Sequence, residues 1–158
     1  MMMTIQIDSR EHKKERERIE AQLDRLEVKH FVSKLYVGDY QSLDNAKLVV
    51  DRKKDLQELC GNVSQQHERF RNELIRAQDA GIQVVILCEH GGTIHCLEDV
   101  TFWTNPRKKY NPKAMDGWLL FKILNTMRSK YGIRFEFCDK RVTGRRIVEI
   151  LTDGQADK

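Results

Sequence analysis

The order of patterns along the chain predicts an α/β fold, a sandwich with a central mixed β-sheet flanked by helices. Three observations carry this. Short β-prone runs alternate with segments of helical period. The run Ile82 to Cys88 is apolar nearly throughout, as a strand covered on both faces is. The helical segments carry apolar stripes that need a sheet to lie on. At 158 residues the chain is read as one domain spanning 1–158.

The elements follow in order. Thr4 to Ile7 is a short β-prone run that ends at Asp8. Lys13 to Lys29 has Ile19, Leu23 and Leu26 on one narrow face among charged residues, which predicts an amphipathic helix. Phe31 to Val37 and Ala46 to Val50 are β-prone; Gly38-Asp39 ends the first, Leu43-Asp44-Asn45 precedes the second, and together they suggest a hairpin. Gln65 to Ala80 is a helix with Phe70, Leu74 and Ala77 inward and Gly81 as its stop. The strand Ile82 to Cys88 follows. The two prolines, Pro106 and Pro112, mark a long basic loop at about 91–114. Met115 to Tyr131 is an apolar helix closed by Gly132, Ile133 to Cys138 alternates as a strand does, and Thr143 to Leu151 is a last short helix.

Hydrophobic residues make up 40% of the chain and charged residues 33%, the balance of a soluble folded domain. No stretch approaches the roughly 20 apolar residues that span a bilayer. Met1 to Thr4 shows no basic region leading into an apolar run. These features argue against a secreted protein, a membrane protein and a disordered tail. Cys60, Cys88, Cys96 and Cys138 form no tight framework, so reduced thiols in an intracellular compartment, cytoplasmic or nuclear, are expected. A net charge of +4 permits a polyanionic partner without requiring one.

The chemistry-bearing residues gather at strand ends: Asp8-Ser9-Arg10-Glu11, Asp39 and Asp51-Arg52-Lys53. Residues two apart on a strand share a face, so Asp51 and Lys53 point one way and Arg52 the other. Paired hairpin strands bring Asp39 toward Asp51. Two carboxylates beside a lysine suit magnesium, whose octahedron takes hard oxygens and water. Such an ion lowers the pKa of a water and neutralises a phosphate, and Lys53 would stabilise developing negative charge. Taken alone, the acid-x-Lys triplet reads rather as a solvated strand end or a hairpin salt bridge.

Three ordered motifs, IQIDSRE, LYVGDY and LVVDRK, resemble the XPF-type nuclease family of structure-specific DNA endonucleases with its Val-Glu-Arg-Lys signature. QQHERFRNELIRAQDAG and IQVVILCEH look like the helix and strand that follow, so the resemblance covers about residues 5–90. It implies a restriction-endonuclease-like sandwich that cuts DNA with Mg2+ (or Mn2+). It implies Asp39 and Asp51 as metal ligands, Lys53 as the catalytic lysine, and Asp8 and Glu11 as support for the site. Branched or flapped DNA in recombination, repair or replication is the substrate it suggests. A non-catalytic DNA-binding member or partner subunit of the same fold is the alternative. Two departures stand out. Asp51 replaces the usual Glu, and Gln57 stands where the pattern continues with Asp, leaving Asp55 and Glu58 as the nearby acids. Many family members also carry tandem helix-hairpin-helix repeats. The stretch after Asp139 is too short for them, so a stand-alone nuclease domain is expected.

The candidate DNA contacts are Arg52, Arg69, Arg107, Lys108 and Lys109. Arg52 is also a candidate partner for an acid, Asp8 or Glu11. Arg69 lies with His67 and Arg71 at the start of a helix that either meets phosphates or forms a solvated face. The loop from Trp103 to Tyr110 interleaves aromatics with Arg107, Lys108 and Lys109, which suits stacking and phosphate contact, or else is an ordinary solvated loop. Cys88, His90, His95 and Cys96 are zinc-type ligands, but Cys88 on a buried strand reads better as a small hydrophobe. The apolar excess of Met115 to Met127 fits either a homodimer contact or a helix buried on several sides.

Overall fold

A computed structural model describes residues 3–156 of the chain. Six strands form one mixed sheet. They are β1 (Thr4–Ile7), β2 (Lys29–Val32), β3 (Tyr40–Ser42), β4 (Leu48–Lys53), β5 (Gln83–Cys88) and β6 (Arg134–Phe137), in spatial order β2-β1-β3-β4-β5-β6. β1 and β2 run parallel, as do β4, β5 and β6; β3 joins the two groups by antiparallel pairing with β1 and β4.

The helices are α1 (Lys13–Arg25), α2 (Leu56–Val63), α3 (His67–Asp79), α4 (Gly117–Tyr131) and α5 (Thr143–Ala156). They cover both faces because the central strands are apolar on both. Ile19 and Leu23 of α1 and Ile147, Ile150 and Leu151 of α5 pack with Ile5, Ile7, Val50, Val85 and Leu87. Leu56 and Leu59 of α2, Phe70 and Leu74 of α3, and Leu120 and Leu124 of α4 pack with Val49, Val84 and Ile86 on the other side. Alternation along β4 then decides where its charged end points. Asp51 and Lys53 follow Val49 to the α2–α3 side, and Arg52 follows Val50 to the α1–α5 side.

Four expectations need correction. The run Phe31 to Val37 is a strand only to Val32, and the hairpin is β3–β4 rather than 31–37 with 46–50. The Ser33 amide donates to Ile7, but the Leu35 amide donates to the Asp8 carboxylate, so a side chain replaces the next rung of the ladder. The first helix stops at Arg25, where Glu27 turns into the left-handed region at φ 58°, and Leu26 is left 40% exposed. An unforeseen helix, α2, begins at Asp55, whose carboxylate accepts from the Glu58 amide.

Among the described residues no helix is long and apolar enough to cross a membrane. The long loop holds two 3-10 turns, Leu97–Phe102 and Pro106–Lys109.

Candidate active site

Gly38 and β4 fix the centre of the site. Gly38 sits at φ +76°, and a Cβ there would lie 2.3 Å from Val49 Cγ2, so the chain can pass this point only as glycine. Asp39 comes next. Its amide donates to Val50, its carbonyl accepts from the Asp8 amide, and its carboxylate accepts from the Arg52 amide at 2.8 Å. The side chain is thereby held toward Asp51. Lys53 Nζ lies 3.5 Å from Asp51 Oδ2 and 5.0 Å from the centre of the Phe70 ring.

The electrostatics follow from crowding. Burial, then the neighbouring Asp51 and Glu11 carboxylates, hold the Asp39 carboxyl well above its ordinary range. Burial works to discharge Lys53, yet Asp51, Glu58, Asp39 and Glu73 outweigh it and raise its pKa, so the amine stays charged. Glu73, on α3, is likewise raised by burial and by Asp51, while Lys53 and then the Gly38 backbone pull the other way. Glu73 is a member of the cleft that the sequence pattern did not reveal.

The residues at the opening of the chain do different work. Asp8 is buried, accepts from Arg10 at 2.9 Å and caps the Leu35 amide. Glu11 accepts from the Tyr40 hydroxyl at 2.9 Å and takes two bonds from Arg52, at 2.9 and 3.1 Å. The third arm of Arg52 reaches Glu89 at 2.6 Å. Arg52 therefore pairs with Glu11 and with Glu89, not with Asp8. Its side chain is 7% exposed and its bonds are given to these two acids. Glu89 also takes Arg18 at 2.6 Å and the Thr143 hydroxyl, tying α1 and α5 to the sheet.

Asp8, Glu11, Asp39, Asp51, Lys53, Glu58 and Glu73 line a cleft of about 270 Å³ with Arg52 and three further arginines, Arg10, Arg69 and Arg76. Those three arginines also line an adjoining groove of about 680 Å³ along the start of α3. Of the acids near Gln57, Asp55 is spent as the cap of α2, while Glu58 lines the cleft and accepts from the Lys54 amide. Gln57 itself turns away, donating to Asn105 at 2.6 Å. Arg107 lines a separate hollow, and Lys108 pairs with Asp116 at 2.6 Å, so the structure does not bring the basic loop to the acid cleft. Tyr110 of that loop is exposed, while Trp103 packs against the core.

Among the described residues no group of three or more His, Cys, Asp or Glu is disposed to hold a metal. Cys88 is buried in the core and Cys96 is exposed, so the zinc set does not assemble. The Asp39–Asp51 pair fits a magnesium-type ion in its donor chemistry. Both are hard oxygen donors, their mutual repulsion is what a divalent cation relieves, and water completes such a shell.

A six-stranded mixed sheet with helices on both faces, two facing acids and a lysine at the end of β4, defines an α/β domain with a charged cleft. The family model for the ERCC4 domain matches residues 7–141, and the chain belongs to that family of DNA nuclease and DNA-binding domains. Among solved structures it is similar to XPF from Aeropyrum pernix, with a TM-score of 0.69 and 20% identity over 96% of this chain. It is also similar to XPF from Aeropyrum pernix in complex with DNA, with a TM-score of 0.66 and 19% identity over 99% of this chain. The chain spans 65% and 66% of the length of those two chains. No curated protein matches it.

Proposed function

We propose that the chain is a metal-dependent endodeoxyribonuclease that hydrolyses DNA phosphodiester bonds. The observation that carries this reading is the convergence of Asp39, Asp51 and Lys53, with Lys53 Nζ 3.5 Å from Asp51, on a cleft edged by arginines. Asp39 and Asp51 would hold magnesium or manganese, and the ion when bound supplies charge neutralisation and an acidified water. The remaining chemistry belongs to side chains of this chain. Lys53 is held charged by its acidic neighbours, so it donates to a phosphate oxygen as negative charge develops there, rather than acting as a base. Arg69, Arg76 and Arg10 orient the backbone along the adjoining groove. Asp8 and Glu11 act indirectly, Asp8 by fixing the Leu35 turn and Glu11 by holding Arg52. Branched or flapped DNA, met in recombination, repair or replication, is the substrate class that the family suggests.

One observation favours the non-catalytic alternative. The acid of the family pattern at position 57 is replaced by a glutamine that faces Asn105, which leaves the carboxylate pair without that third acid. Incubation with labelled single-stranded, duplex, flap and four-way DNA, each with magnesium, manganese or chelator, separates the two. Cleavage with metal and none in chelator supports the enzyme. Binding without cleavage on every substrate supports the alternative, and undiminished cleavage in excess chelator removes the metal mechanism.

A further inference from the structure

The outer face of α4 carries a second surface, which the cleft chemistry does not use. Leu119, Ile123, Met127 and Tyr131 recur every four residues and form a continuous stripe, exposed at Leu119 and half-buried against the core at Met127 and Tyr131. Its length is about 18 Å, from the rise of an α-helix. Val63 at the end of α2 faces this stripe, and between them runs a groove of about 440 Å³. Its rim is cationic: Arg71 from α3 on one side, Lys122 and Lys130 from α4 on the other. Lys122 Nζ lies over the Trp118 ring at 4.7 Å and Lys130 Nζ over the Tyr131 ring at 5.4 Å, cation–π contacts that hold both charges beside the apolar floor. Among the described residues no carboxylate lines the groove and none forms an ion pair with these three cations. Trp118 is 55% exposed and Leu119 40%, which extends the apolar surface past the first turn of α4.

We propose that this groove receives an amphipathic helix of a partner protein, with an apolar stripe flanked by Asp or Glu. The length and the four-residue repeat match helix-in-groove recognition, which is read through anchors at i, i+3 or i+4, and i+7. The rim selects the sign of the flanks, since charges across an interface suppress wrong partners. A nucleic acid would satisfy the rim but leave the apolar floor in water. A two-fold contact with a second copy would set Arg71, Lys122 and Lys130 against themselves. The groove shares no residue with the Asp39–Asp51 cleft and one, His67, with the adjoining arginine groove; none of its apolar or cationic residues belongs to the nuclease reading.

The test begins with a display library of randomised 20-residue helical peptides, selected on the full chain in excess duplex DNA. Enriched peptides are expected to carry the apolar repeat with acidic flanks. A labelled enriched peptide should bind Lys122→Glu/Lys130→Glu about ten-fold more weakly, as the loss of two exposed ion pairs implies. The same peptide with its acids changed to Lys should recover binding to that double variant, and cleft-dependent DNA binding should be unchanged. Should the reversal unfold the chain by circular dichroism, Lys122→Gln/Lys130→Gln is used in its place. The proposal is overturned by a selection that enriches nothing, or by peptides that bind wild type and double variant equally. It is also overturned if duplex DNA displaces the peptide and the double variant loses DNA binding, which makes the groove a nucleic-acid surface. A dimer in light scattering that Leu119→Glu dissociates overturns it as well, by making the groove a self-contact.

Discussion

Replacing Arg52 with methionine removes the cation that ties β4 to Glu11 and Glu89. Methionine keeps much of the volume, so the loss is mainly that of three bonds, at 2.9 and 3.1 Å to Glu11 and 2.6 Å to Glu89. Removing one partner of a buried pair costs about 3–5 kcal/mol, because a buried charge is left uncompensated. The lower end applies here. Glu11 retains the Tyr40 hydroxyl, and Glu89 retains Arg18 and Thr143. At about 2–4 °C per kcal/mol for a domain of this size, a loss of about 3 kcal/mol lowers Tm by roughly 6–12 °C. Arg52→Lys keeps the charge but not the fork and should fall between the two. Thermal melts by circular dichroism at neutral pH measure this, with DNA binding across a salt series in parallel. A Tm within 2 °C of wild type would refute the brace. If the salt slope flattened as well, Arg52 would return to the phosphate contacts.

Further outcomes follow from the cleft. Asp51→Asn and Lys53→Ala should each abolish single-turnover cleavage while DNA binding persists or, for Asp51→Asn, tightens; wild-type rates in both would end the nuclease assignment of this constellation. Arg69→Ala with Arg76→Ala should lower the salt dependence of DNA binding more than Ala at Arg107, Lys108 and Lys109 does, since only the first pair lines the cleft and its groove; an equal effect would place the basic loop on the DNA as well. Asp39→Asn should melt higher than wild type at pH 7. An acid with a raised folded pKa binds more protons folded than unfolded, so its cost appears as pH rises above the ordinary carboxylate value of about 4 and grows until the folded pKa is passed. The gap between the two melts should therefore close as pH falls toward 4, and a gap of opposite sign at pH 7 would contradict the crowding of Asp39 against Asp51.

The amino-acid sequence makes the charged end of β4 legible because a strand alternates: once Val49 and Val50 are assigned to opposite cores, Asp51 with Lys53 and Arg52 alone must part. The α/β order is legible for the same reason, through periods of two and of 3.6. Residues that meet only through tertiary packing are not. Glu73 stands between Phe70 and Leu74 on an amphipathic helix and reads as an ordinary solvated acid until α3 is laid across β4. Glu89 is hidden inside Cys88-Glu89-His90, where the neighbours suggest metal ligands, and its real partners Arg18 and Arg52 are distant in the chain. The end of β2 is equally unreadable, because Asp8, a side chain on another strand, takes the Leu35 amide that a longer strand would have paired. Helix α2 has too few turns for a periodic stripe, and its signal was the capping Asp55.

The tight passage at Gly38 gives the site a mechanical handle that is free of charge. A neutral substitution at Asp39, Asp51 or Lys53 alters the field in the cleft along with the chemistry, so a change in DNA affinity cannot be traced to one or the other. A methyl group at position 38 would collide with Val49 and push the backbone out of line just before Asp39, without adding or removing an ionisable group. Gly38→Ala therefore offers a silenced site with native electrostatics: a form in which DNA should be held with unaltered salt dependence, and in which misplacement by a fraction of an ångström alone is responsible for any loss of turnover.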